Sequence, residues 1–157
     1  MIHLFAITGM LLLGAGSEVT GGERAPAGRR IPVAGGWTVM VPADFKVIDN
    51  GDSVQALKES RIVYLSAPLL PATAKDDGAH ALCEQMGALF VKVPRKDRLT
   101  HAAGALEGRA GFFLEGRLWR FKGVMCARGT VVLAVADLDG AKDRDWAVAV
   151  WRSFEHQ

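Results

Sequence analysis

Large apolar residues occupy every second position of Trp37-Thr38-Val39-Met40-Val41, and Pro42 stops the run, which predicts a strand ending at a turn through Ala43 and Asp44. Phe45 to Ile48 predicts a second, short extended piece. Asp49-Asn50-Gly51-Asp52 follows as a turn, because Asn-Gly adopts the positive φ angles of a tight hairpin. Val54 to Lys58 and Ile62 to Ser66 flank Glu59-Ser60-Arg61 as a further hairpin. The period then changes. Ala79, Leu82, Cys83, Met86, Leu89 and Phe90 fall on one helical face, which predicts an amphipathic helix. Asp76-Asp77-Gly78 offers it a polar N-terminus whose side chains accept from free amides, and Val93-Pro94 ends it.

From Leu99 to Leu138 the chain reads as a meander punctuated by Glu107-Gly108, Glu115-Gly116 and Arg128-Gly129. Leu118, Arg120 and Lys122 face one way, and Trp119, Phe121, Met125 and Ala127 the other, as in an antiparallel strand with one buried side. Thr130 to Ala136 is almost wholly apolar and belongs at the sheet centre. Asp139-Gly140 turns the chain into a last helix, with Ala147, Val150, Trp151 and Phe154 on one stripe. The fold class expected is α+β: an antiparallel β-sheet meander packed with two α-helices, in the order strands, helix, strands, helix.

Ahead of this pattern, residues 1–17 hold an apolar run followed by small residues, the layout of a signal peptide, although the first residues carry His3 and neither Lys nor Arg. The alternative is an N-terminal strand or helix buried in the domain. The run is shorter than the roughly 20 apolar residues of a membrane span. No cysteine follows the small residues, so a lipid anchor is not indicated. Residues 18–36, rich in Gly, Ala, Pro and Arg, read as a flexible tether, which leaves 37–157 as a single domain.

The length of 157 residues fits one core. Half of the residues are hydrophobic and 23% are charged, a composition that favours a folded globule. Of 19 basic and 17 acidic residues, three and two lie in the first thirty positions, leaving 16 and 15 interspersed along the domain. Phosphate backbones require clustered Lys and Arg, so nucleic acid is excluded as the expected partner.

The segment Trp37-Thr38-Val39-Met40-Val41-Pro42-Ala43-Asp44-Phe45 resembles the aromatic, strand, Pro-x-x-Phe opening of PsbP-like and DcrB-like proteins, and Trp146 to Phe154 resembles their closing helix. The resemblance spans residues 36–156 in element order and implies a fold rather than a chemistry. That superfamily includes photosystem extrinsic subunits, a Ran-binding protein, bacterial envelope proteins and the Eag chaperones of secreted effectors. Most are binding or assembly factors, so the resemblance implies a non-enzyme. The leader sets this chain apart from the cytoplasmic chaperones.

Among candidate chemical groups, Cys83 on the buried face of the first helix and Cys126 near the end of a strand are placed to clip helix to sheet. In an oxidising compartment two cysteines of a small domain are commonly paired. The alternative is two separate buried thiols filling core space. No metal is expected, because His80, His101 and His156 are scattered. His80 and Glu84 stand at i, i+4 like a ligand pair, but that spacing equally describes a solvated helix face. No serine sits in a Gly-x-Ser-x-Gly elbow, and a Cys83–His80 pair would point its thiol into the core. Asp76-Asp77 and Asp143/Asp145 are explained as acidic residues at helix N-termini. No catalytic residue and no cofactor is expected.

Phe112, Phe113, Trp119 and Phe121 crowd into ten residues and cannot all point inward if alternation holds. Either helices cover both sheet faces, or the outer set forms a partner-binding patch. The expected function is a non-catalytic periplasmic or secreted protein-binding module. Its partner would be a toxin or effector neutralised by an immunity protein, or an envelope component in assembly, with the membrane met only through the leader. A small-ligand or lipid carrier is the competing class.

Overall fold

The computed structural model describes residues 28–157. Within them the elements run β1 (Gly28–Val33), β2 (Trp37–Pro42), β3 (Lys46–Asp49), β4 (Ser53–Lys58), β5 (Arg61–Ser66), α1 (Ala79–Met86), β6 (Leu99–Ala103), β7 (Leu106–Glu115), β8 (Leu118–Ala127), β9 (Thr130–Leu138), α2 (Arg144–Arg152) and β10 (Glu155–His156). Strands β3 to β9 form one antiparallel sheet in the order β3-β4-β5-β9-β8-β7-β6, which puts the apolar β9 at its centre. A small second sheet, β1-β2-β10, packs across one face of it.

The α+β architecture expected from the sequence is therefore present, with its helices on opposite faces of the large sheet. On one face α2 and the small sheet enclose the main core, which includes Trp37, Val39, Leu65, Phe121, Met125 and Trp151. On the other face α1 and the turn after it cover a smaller cluster of Leu82, Cys83, Val91, Val93, Val124, Cys126 and Val131. Alternation along β8 sends Phe121 and Met125 to the first cluster and Val124 and Cys126 to the second.

Three expectations change. The tether expected over 18–36 does not hold for its last part, because Gly28–Val33 pairs residue for residue with β2, from Gly28↔Pro42 to Val33↔Trp37, and so belongs to the domain. Ile31 and Val33 are buried there, alternating with exposed Arg30 and Pro32, and Pro32 is tolerated because β1 is an edge strand. Glu107-Gly108 is no turn but lies inside β7; a Cβ on Gly108 would come within 2.5 Å of the Trp151 indole. The meander turns instead at Gly104-Ala105. The acidic cap of α1 is also not made: its N-cap is Gly78, without a side-chain hydrogen bond. The leader expected over 1–17 and the first part of the tether lie outside the described residues.

His101, on edge strand β6, packs against Trp151 with ring centroids 5.8 Å apart. Burial, helped by the charge of Arg152, holds its pKa below the ordinary value of 6.5. The unfolded chain therefore takes up this proton more readily than the folded one. The contribution is fully present above pH 6.5 and is lost as pH falls below it. Between pH 7.5 and 5 the melting temperature should decline, and His101→Gln should flatten that decline; parallel profiles for the two proteins would contradict this assignment.

Candidate functional site

The four aromatic candidates on β7 and β8 separate into two groups. Phe121 is buried in the main core, 5.1 Å from Phe112 and 6.0 Å from Trp151 between centroids, so it is not part of an outward patch. Phe112, Phe113 and Trp119 are only half-buried and line a single groove at the tip of the β7–β8 hairpin. The groove has a volume of about 530 Å³, and its other walls are Lys92, Val93, Pro94, Asp97, Leu99 and Arg144. Helices do cover both faces of the sheet, but they stop short of this end, where Leu114 remains 54% exposed.

Arg144 is the polar centre of the groove. Its guanidinium carbon lies 4.4 Å from the Trp119 ring centroid and 5.0 Å from that of Phe112. Stacking of this kind holds the fork in place and leaves its in-plane N–H groups able to donate. Its Nε is buried without a hydrogen-bond partner, and among the described residues no carboxylate pairs with it. As the first residue of α2 it also opposes the helix dipole. Sequence reasoning missed it. The available signal was a cation opening a helix whose next residue, Asp145, is the type favoured there.

The opposite wall is set by an irregular backbone. After Met86 the helix widens into a π turn over Gly87–Val91, closed by Lys92 in the left-handed region at φ 55° and ψ 24°. A lysine there costs about 1 kcal/mol relative to glycine, and π turns concentrate at functional sites. The result is that Lys92, Val93 and Pro94 reach the groove. Val93 sits flat on Gly111, where a Cβ would come within 2.5 Å of it. On the same face Lys122 lies over Phe113 and Phe90, 5.0 and 5.6 Å from the ring centroids. With Lys92 and Arg144 against Asp97, the groove lining carries an excess of positive charge.

Cys83 and Cys126 form a disulfide between α1 and β8, with Cα atoms 5.7 Å apart and both residues fully buried. It fixes the helix whose C-terminal extension supplies the groove wall.

A second concavity of about 350 Å³ lies between α1 and the β6–β7 edge, lined by His80, Glu84, Arg95, Arg98, Thr100 and Arg109. Part of its charge is paired: Arg98 donates from Nε to the Val93 carbonyl at 2.9 Å, and among the described residues no carboxylate pairs with Arg95 or Arg98. Buried Arg109 donates from Nε to Glu84 at 2.9 Å, from Nη2 to Glu107 at 3.1 Å and from Nη1 to the Gly108 carbonyl at 2.9 Å. His80 Nδ1 meets Glu107 at 2.9 Å. The hydrogen bond from Arg109 holds the Glu84 carboxyl below its ordinary value, and those from His80 and then Arg109 do the same for Glu107. His80 and Glu84 are thus engaged in separate pairs that tie α1 to β7, and they do so on a solvated face, His80 remaining 72% exposed. Asp143 likewise does more than favour a helix dipole: it is buried, 2.8 Å from Arg61 Nη2, and accepts from the Asp139 amide at 2.9 Å. These pairs read as scaffold, whereas the groove sets a cation that no carboxylate pairs among the described residues beside half-buried aromatic surface.

No protein-family model matches the sequence, and no curated protein does. Solved structures are similar in fold. The solution structure of cyanobacterial PsbP from Synechocystis superposes with a TM-score of 0.56 at 12% identity, over 82% of this chain and 92% of that one. A crystal structure from Bacteroides thetaiotaomicron superposes with a TM-score of 0.54 at 11% identity, over 83% of this chain. This chain spans 48% of the length of that protein. The fold is PsbP-like, as the opening and closing segments imply.

Proposed function

We propose that this protein is a non-catalytic, exported binding module that holds a protein partner in the groove of Phe112, Phe113, Trp119 and Arg144. The observation that carries the reading is Arg144, stacked on two aromatic rings with no carboxylate to answer it among the described residues, beside apolar surface that the helices leave open. Aromatic and Arg side chains set together in a concave patch are what dominate the energetics of protein interfaces. The disulfide supports an oxidising compartment outside the cytoplasm, where such bonds persist. Among the described residues no helix is long and apolar enough to cross a membrane.

Affinity capture from periplasmic extract, run in parallel with wild type and Trp119→Ala, tests this. Removing the indole should weaken the captured partner's binding by about 2 kcal/mol or more, roughly thirtyfold, while the circular-dichroism spectrum stays unchanged. Arg144→Gln should also weaken it, by less. A partner retained equally by all three proteins would place its site elsewhere. The partner's identity separates an immunity protein, which returns a toxin, from an assembly factor, which returns an envelope component.

The groove volume favours one second reading, since small-molecule sites commonly measure about 300–1,000 Å³. Native mass spectrometry that finds a lipid or metabolite bound, with no protein captured, would support a carrier instead.

A further inference from the structure

Resting on the reading that the groove receives a protein, we infer that the partner enters as an extended strand laid along the open edge of β7 and presents an acidic side chain to Arg144. The edge is created by a mismatch in strand length. β6 pairs with β7 only as far as Leu99↔Ala110, so among the described residues Gly111–Glu115 is paired on one side, by β8, and unpaired on the other. The two-residue turn Gly104-Ala105 closes on Ala103↔Leu106, and in such hairpins the closing pair exchanges both backbone hydrogen bonds. Alternation carries that orientation to Gly108 and Ala110 and, beyond the end of β6, to Phe112 and Leu114. The N–H and C=O groups of Phe112 and Leu114 therefore point away from β8, into the space where β6 would have continued. Among the described residues no turn or loop backbone hydrogen-bonds to Phe112 or Leu114.

That space is the groove. Phe112 and Leu99 belong to its lining, and the 92–97 connection bends aside to form its far wall. A strand placed there gains backbone hydrogen bonds from Phe112 and Leu114 and sets alternate side chains against Phe112 and Trp119. The same alternation brings a side chain of the strand to Arg144, whose planar fork suits a carboxylate better than any neutral group. Unpaired edge groups attract other chains wherever they are exposed, so a short edge beside a built cationic and aromatic pocket selects for an extended, acidic segment. Helical partners gain nothing from the edge.

The test is a selection of phage-displayed random heptapeptides on the full-length, disulfide-intact protein. Selected peptides should share β-forming residues and an acidic position, and should lose binding at least tenfold on Trp119→Ala. N-methylation of the synthetic peptides should abolish binding at alternate residues and be tolerated between them. Leu114→Pro removes an N–H that β8 does not use, whereas Leu114→Ala keeps it. The proline variant should fold and bind at least tenfold more weakly than the alanine variant. Peptides that need Trp119 but withstand N-methylation at every position would overturn strand addition and leave the groove reading standing. Selection of no Trp119-dependent peptide would sink both. An acidic position that survives unchanged on Arg144→Met would overturn the role given to Arg144. The N-methylation arm decides the matter should the proline variant fail to fold.

Discussion

Trp151→Ala should destabilise the protein by about 3–5 kcal/mol, the range for truncating a fully buried aromatic residue. The indole has 0% exposure and lies against Phe121 and His101, and its Nε1 donates to the Val124 carbonyl at 3.2 Å. What makes the site unforgiving is its floor. The ring rests on Gly108 of β7 and Gly123 of β8, where an added Cβ would come within 2.5 and 2.7 Å of it. Neither backbone can follow the side chain inward without breaking the ladder, so a cavity remains. Gly123→Ala alone should cost about 1–3 kcal/mol by overpacking. Combined with Trp151→Ala it should cost little or nothing, because the added methyl then fills part of the vacated space. Urea unfolding of the two single variants and the double variant measures this coupling; additive losses would show that the glycines do not serve the indole.

Removing the disulfide should have an effect of similar size. Cys83 and Cys126 are 43 positions apart, and releasing a loop of that length returns to the unfolded chain entropy worth about 4 kcal/mol. Against a total stability of roughly 5–15 kcal/mol, this is a large share of what keeps the domain folded. Cys83→Ala/Cys126→Ala should therefore shift the urea midpoint strongly downward, while intact protein shows no alkylatable thiol and a mass lighter by two hydrogens than its reduced form. The loss should fall first on α1 and the π turn, which the bond fixes to β8. Because Lys92, Val93 and Pro94 line the groove, partner binding should weaken on reduction before the large sheet unfolds. Two free thiols in the native protein would contradict the account.

Alternation and helical periodicity carried most of the architecture. The stripe from Trp37 to Val41, the two faces of β8, the apolar run at the sheet centre and the Ala147–Trp151 stripe all follow from which side of an element must be buried, and each is local in sequence. What was not legible depends on partners far along the chain. Gly108 reads as a turn because glycine usually is one; that it makes room for an indole 43 positions later is a property of the packed core. β1 reads as tether because Pro32 and two arginines obscure two buried residues, and only pairing with β2 shows the alternation. Of the site, the aromatic residues were legible as a surplus of apolar side chains on two strands. Arg144 and the wall at Lys92 were not, since a stacked cation and a left-handed lysine declare themselves only when the hairpin, the π turn and the start of α2 are seen together.

The most direct test of the groove as the functional surface is hydrogen–deuterium exchange of the full protein, free and bound to the partner captured from periplasmic extract. Protection should rise in residues 111–119 and 92–97, with the amides of Phe112 and Leu114 slowed most, and should change little on the outer face around Tyr64. Protection confined to that outer face, or to the concavity of Arg95 and Arg98, with the hairpin tip exchanging as fast as before, would contradict it.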